Sequence, residues 1–235
     1  MSSLFYHLST WVWDLMYRLR NDRSQFGEQN FLKQYLPKEL SNVGYIDIGA
    51  HTPVKCSNSY FLYRAGAVGV AVDPISTFTL HWKIWRPRDL FLTKAVVGLD
   101  DESDGFISFY RANRRRELMS TTSLELRDAL TATGISFVAD KVAVIKIDTV
   151  LREFNEFFNR APTIVLIDVE GMDAELVDSI DRIDNIELLP KFIFFEELVK
   201  PSENVSLSKY QMIARFTPQN ETGVSSILYK IKAVL

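Results

Sequence analysis

From Tyr45 onward, short apolar runs alternate with stretches in which apolar residues recur every three or four positions. Tyr45–Ile48, Val68–Val72 and Leu90–Val97 read as strands, and Ser57–Arg64 and Phe78–Trp85 between them read as helices. Such alternation calls for a parallel sheet with helices on both faces. Phe106–Tyr110 and Val142–Ile147 are further strands, flanking a polar, basic stretch, Arg111–Arg127, that interrupts the plain alternation. Ile164–Ile167 is a fully apolar strand, followed by "DVEGMDAELVDSI", a helix with Leu176, Val177 and Ile180 facing inward. After a buried strand at Lys191–Phe195 come two β-rich runs, Gln211–Phe216 and Ser225–Ile231. They are joined by "TPQNETG", whose Pro, Asn and Gly mark a loop between antiparallel neighbours.

Ahead of this domain the pattern changes. Leu4, Leu8, Trp11, Val12, Leu15, Met16 and Leu19 recur at helical spacing and make one apolar face, interrupted or followed by Asp14, Arg18 and Arg20. Residues 1–40 are therefore expected to form a helical extension and 41–235 the main domain. The face suits packing on its own domain or on a twin subunit in a homodimer. With Trp11, Trp13 and Tyr17, residues 4–19 also suit peripheral contact with a membrane interface. No run of about 18 uncharged apolar residues exists, so a membrane-spanning helix is not expected.

Composition narrows the field. The 235 residues are 47% hydrophobic and 24% charged, enough for one sizeable α/β domain. A formal net charge of −3 gives no general attraction to nucleic acid. The lone cysteine, Cys56, rules out an internal disulfide and fits a reducing, cytoplasmic setting. The sequons at Asn204 and Asn220 read as chance matches.

The stretch "YIDIGAHTPVKCSNSY" carries the chemistry. The first strand delivers Asp47 and then a turn at Gly49, where the missing Cβ lets the backbone approach a ligand. A pyrophosphate needs a cradle of backbone N–H groups, but Pro53 has none and His51 adds bulk. A nucleoside carrying a cationic sulfonium suits the Asp47 carboxylate better. Asp73, at the end of the second strand, is positioned to accept hydrogen bonds from ribose hydroxyls. An NAD-linked oxidoreductase of the doubly wound type would continue with further βα units, whereas a terminal antiparallel pair on a parallel sheet marks the Rossmann-like class I methyltransferase fold. A nucleoside-binding protein without catalysis is the third alternative.

Four stretches, "SQFGEQNFL", "YIDIGAHTPVKCSNSYFLYRAGAVGVAVDP", "RPRDLFLTKAVVG" and "VLIDVEGMDAELVDSI", together resemble the FkbM-type methyltransferase family. The resemblance spans Ser24 to Ile231. It implies transfer of a methyl group from S-adenosylmethionine to an oxygen, commonly a sugar or polyketide hydroxyl. The acceptor class it implies is carbohydrate-like: a glycan, a nucleotide sugar or a related small molecule, as in polysaccharide biosynthesis. Cofactor contacts are then expected from Asp47, Gly49, Ala50, His51 and Ser57 on the first loop, and from Asp73, Pro74, Val96 and Asp168 at other strand ends. His51 and Ser59 stand where relatives often carry Asn and Thr.

Asp168 and Glu170, in "IDVEG", are the expected catalytic pair. Two carboxylates this close raise one another's proton affinity, while a helix N-terminus stabilises their charge. One could take the proton of an acceptor hydroxyl. Both could instead hold Mg²⁺ with Glu196, a reading ranked below the general base, or Glu170 could simply cap the helix. His51 is a second candidate base, because histidine titrates near neutrality. His7 and His81, in apolar helical stretches, read as packing residues. Ser57 and Asn58 read as caps of the first helix. Arg111, Arg114, Arg115 and Arg116 form a basic cluster in the interrupting stretch; they read as a solvated charge run or as a binding site for an anionic group on the acceptor.

Overall fold

The computed structural model describes residues 12–17, 24, 27–113, 117–198, 207–218 and 224–233. A seven-stranded sheet carries the fold, in the order β3-β2-β1-β7-β8-β10-β9. Its strands are β1 (Gly44–Ile48), β2 (Val68–Val72), β3 (Leu90–Leu92), β7 (Ile164–Ile167), β8 (Phe192–Leu198), β9 (Tyr210–Phe216) and β10 (Val224–Ile231). All neighbours pair in parallel except β10, which runs antiparallel between β8 and β9. A second sheet, ordered β4-β6-β5, joins β4 (Ala95–Val97), β5 (Phe106–Ala112) and β6 (Phe137–Lys146).

Period-two alternation sorts the buried residues onto the two faces of the main sheet. Ile46, Ile48, Val165, Ile167, Ile193 and Phe195 pack against α5 (Ile147–Phe158) and α6 (Asp173–Arg182). Their neighbours Tyr45, Ile164, Leu166, Phe192 and Phe194 face the other way, toward α1 (Glu28–Leu32) and α2 (Tyr60–Arg64). A smaller cluster of Ala50, Ala71, Ile75, Phe78, Trp82 and Phe109 lies under α3 (Thr79–Trp85) and reaches the second sheet. Both faces of the parallel strands are thus covered, which is why these strands read as continuous apolar runs.

Several boundaries differ from the sequence expectation, among them the start of β6 at Phe137 instead of Val142. Leu90–Val97 is two strands: β3 pairs with β2 in the main sheet, and past Thr93 and Lys94 the chain leaves that sheet to pair β4 with β6. The first helix begins at Tyr60 instead of Ser57, with Ser57 Oγ accepting the Tyr60 N–H at 3.2 Å. Ile147 opens α5 and does not end a strand; Ile147, Val150, Leu151 and Phe154 are all fully buried on one face of that helix.

Residues 12–17 are helical, and the described residues of the expected apolar face, Val12, Leu15 and Met16, do not pack inward, whereas Tyr17 packs against the cluster of Leu32 and Phe61. Asp14 is the buried residue, accepting the Lys55 N–H at 3.2 Å with its second oxygen 3.7 Å from His81 Nδ1. Val12, Leu15 and Met16 are 52%, 54% and 54% exposed. Arg114–Arg116, both sequons, most of the "TPQNETG" loop and the remainder of Leu4–Leu19 lie outside the described residues. Among the described residues no helix is long and apolar enough to cross a membrane.

Candidate active site

The carboxyl ends of β1 and β7 meet at Gly49. Its φ of +81° is in the left-handed region, and a Cβ there would lie 1.7 Å from the Asp168 carbonyl oxygen, so only glycine lets the two strand ends touch. The pocket above this contact is lined by Asp47, Gly49, Ala50, His51, Ser57 and Asp168 of the expected set. Lys55, Cys56, Asn58, Leu118 and Phe194 also line it.

Asp47 is held from below by a buried network that no local pattern announces. Arg86, fully buried, donates from Nε to Asp89 at 2.6 Å, from Nη2 to the Tyr45 hydroxyl at 2.8 Å and from Nη1 to Ser59 Oγ at 2.9 Å. The same Nη1 lies 3.3 Å from the Pro53 carbonyl and from Ser57 Oγ. Ser59 passes the contact on by donating to Asp47. Burial pushes the Asp47 pKa upward, and the Arg86 charge and the Ser59 hydrogen bond oppose that shift.

The loop after β1 turns its backbone donors inward. Gly49 and Ala50 N–H bond the Val72 carbonyl, His51 N–H bonds Asp73, and Lys55 N–H bonds Asp14. Asp73 accepts the Ile75 N–H as well, at 2.8 Å, and does not line the pocket. Burial raises its pKa to about 7 against those two hydrogen bonds. Pro74 also lies outside the pocket, and Val96 is buried in the main core. His51 adopts φ +46°, packs at a tilt against Phe78 with ring centroids 4.5 Å apart and has Nε2 3.9 Å from Glu117. Burial, aided by the Lys55 charge, drops its pKa to about 3, so it is a neutral imidazole at physiological pH.

Past β7 the chain turns through Glu170 and Gly171, both with positive φ, into α6. One carboxylate oxygen from each of Asp168, Glu170 and Glu196 lies within 4.8 Å of the others. Burial is the largest cause of the upward shift in all three; mutual repulsion adds to it, and Asp168 hydrogen-bonds Glu196. Glu170 is raised to about 8 and Glu196 to about 7, while Asp168 is raised well above the usual carboxylate range. No side chain caps α6 at its N-cap Met172, so Glu170 does not act as the cap; Asp173, the first residue of the helix, accepts the Val169 and Gly171 N–H groups of the preceding loop at 3.4 and 3.3 Å. The site therefore holds carboxyl groups that exchange protons near neutral pH, in a set of oxygen ligands that a hard divalent cation would also accept.

The interrupting stretch closes over this edge. Leu118 enters the pocket, Glu117 faces His51, and Thr121 donates to the Glu170 carbonyl at 2.6 Å. Leu126, on α4 (Leu124–Ala132), lies beside Gly171, where an added Cβ would meet it at 3.3 Å. Arg111, on β5, pairs with Asp140 at 3.0 Å.

No family model and no curated protein matches the sequence. Among solved structures, the one described as "Putative methyltransferase yhhF from Escherichia coli" aligns over 92% of this chain and 91% of its own, with a TM-score of 0.50 at 9% identity. A TehB-like S-adenosylmethionine-dependent methyltransferase from Corynebacterium glutamicum aligns over 98% of this chain and 100% of its own, with a TM-score of 0.46 at 9% identity. The architecture, with its antiparallel strand inserted between the last two strands of the sheet, is the class I methyltransferase fold.

Proposed function

We propose that this protein is an S-adenosylmethionine-dependent methyltransferase of FkbM type that methylates a hydroxyl of a carbohydrate-like acceptor. The observation that carries the reading is the loop between β1 and α2. Its N–H groups at Gly49, Ala50, His51 and Lys55 are all committed inward, position 53 is proline, and a buried carboxylate, Asp47, faces the pocket. Such a loop cannot cradle a pyrophosphate, which disfavours NAD, but it suits an uncharged nucleoside with a cationic end. The fold shared with the yhhF structure and the ordered motifs of the sequence support the same class.

In this reading Asp47, Gly49, Ala50, His51 and Ser57 hold the cofactor's amino-acid and nucleoside parts, with Val96 behind them. Asp73 and Pro74 reach the ribose after a small movement of the loop, because Asp73 keeps lone pairs beyond the two N–H groups it now accepts. The bound cofactor supplies an electrophilic methyl group. Glu170, next to Asp168, takes the proton of the acceptor hydroxyl as the oxygen attacks; with its pKa raised to about 8 only the ionised fraction serves as base, so turnover should climb as pH rises toward 8. His51, held neutral, positions the loop. Leu118 and the covering stretch keep water from the transferring group. Arg114–Arg116 would add selectivity for an anionic acceptor, since Arg111 is already paired with Asp140.

Incubation with methyl-labelled cofactor and a panel of neutral and acidic sugars tests the proposal. Label in an ether-linked methyl, retained in EDTA and lost in Glu170→Gln, supports it. Label only in amines overturns the hydroxyl assignment. Loss in EDTA with rescue by Mg²⁺ would transfer the carboxylates to a metal role.

A further inference from the structure

Residues 12–17 present an anomaly: the helix is anchored by Asp14 and by Tyr17 on the core, and shows Val12, Leu15 and Met16 to the outside. Asp14 is fully buried between the Lys55 N–H and His81, and Trp13 stands over the Lys55 ammonium at 5.4 Å, so the orientation of the helix is fixed. Val12, Leu15 and Met16, spaced at i, i+3 and i+4, are each more than half exposed. In the sequence Leu8 and Leu19 extend the same stripe. We propose that this face docks on an anionic lipid surface.

Charge selects that occupant. Arg18, Arg20 and Arg23 follow the apolar positions, and with Asp14 internal the one remaining acid among residues 1–23 is Asp22, in a chain whose net charge is −3. Basic residues concentrated beside Trp, Leu and Met are complementary to anionic headgroups. The neighbouring helix α3, whose His81 meets Asp14, adds exposed Leu80, Lys83 and Ile84, again apolar residues with a cation and no carboxylate. The inference is independent of the methyl-transfer reading.

Cosedimentation of the full chain with vesicles of phosphatidylcholine containing about one third phosphatidylglycerol tests it, with pure phosphatidylcholine as the control. Wild-type protein should pellet with the anionic vesicles and release as salt rises from about 0.05 M to about 0.5 M. The variant Val12→Ser/Leu15→Ser/Met16→Ser should bind at least about tenfold more weakly with an unchanged melting temperature, because these side chains already face solvent. Arg18→Ser/Arg20→Ser/Arg23→Ser should lose the preference for anionic lipid. Failure of wild type to pellet, or equal pelleting of the first variant, overturns the proposal. So does a dimer in sedimentation velocity that the first variant dissociates, which would assign the face to a second copy.

Discussion

Replacing Glu170 with Gln removes a charge and keeps the shape, so it separates chemistry from packing at the carboxylate cluster. Folding raises the Glu170 pKa to about 8, mainly by burial and then by Glu196 and Asp173. The folded protein therefore holds a proton that the unfolded chain releases near pH 4.5, and the stability contributed by this proton is fully present below about pH 4.5 and lost progressively as pH rises to about 8. Taken alone, such a shift is worth at most about 5 kcal/mol at pH 9; shared protons and solvent relaxation in the cluster bring the expected penalty to about 1–3 kcal/mol. Glu170→Gln should accordingly melt a few degrees higher than wild type at pH 9 and within about a degree of it at pH 4.5. Its affinity for S-adenosylhomocysteine should be unchanged, while kcat falls about 10²-fold or more, the scale of losing a positioned general base. Scanning calorimetry at both pH values and turnover of labelled cofactor read these effects. A variant with wild-type kcat and a lower melting temperature at both pH values would refute the reasoning and make Glu170 structural.

Asp73→Asn should weaken S-adenosylhomocysteine binding by about 1–3 kcal/mol and flatten its pH dependence. In the wild type, affinity should rise as pH passes about 7, where Asp73 ionises, and unchanged affinity in titration calorimetry would remove Asp73 from the ribose site. Arg86→Met should cost about 3–5 kcal/mol in urea unfolding because it leaves Asp89 and Asp47 buried without their counter-charge, and Arg86→Lys should lie between Met and wild type; a loss under about 1 kcal/mol would contradict the network. His51→Asn, which places a residue tolerant of positive φ at a position with φ +46°, should leave kcat within about threefold of wild type; a much larger loss would promote His51 to the chemistry.

The sheet was legible because strands buried on both faces leave continuous apolar runs, as Val68–Val72 and Ile164–Ile167 do. The split within Leu90–Val97 was not, since leaving one sheet for another at Thr93 depends on partners far along the chain. Helix α5 had a readable stripe at Ile147, Val150, Leu151 and Phe154, but it begins where a β-rich run ends, and the strand signal masked its start. In the site, Asp47, Gly49 and Asp168 could be placed because each ends or follows a recognisable strand. Arg86 and Asp14 could not. An arginine between Trp85 and Pro87 reads as surface, and an aspartate within an apolar helix reads as an interruption; each meets partners far along the chain, Ser57 at 29 residues from Arg86 and Lys55 at 41 from Asp14.

Titration calorimetry of the full chain with S-adenosylhomocysteine and, separately, with NAD tests the central claim most directly. The loop with its donors turned inward and Asp47 facing the pocket should bind S-adenosylhomocysteine at a one-to-one ratio with micromolar affinity, about −8 kcal/mol, and show no heat with NAD. Binding of NAD without S-adenosylhomocysteine would contradict the account.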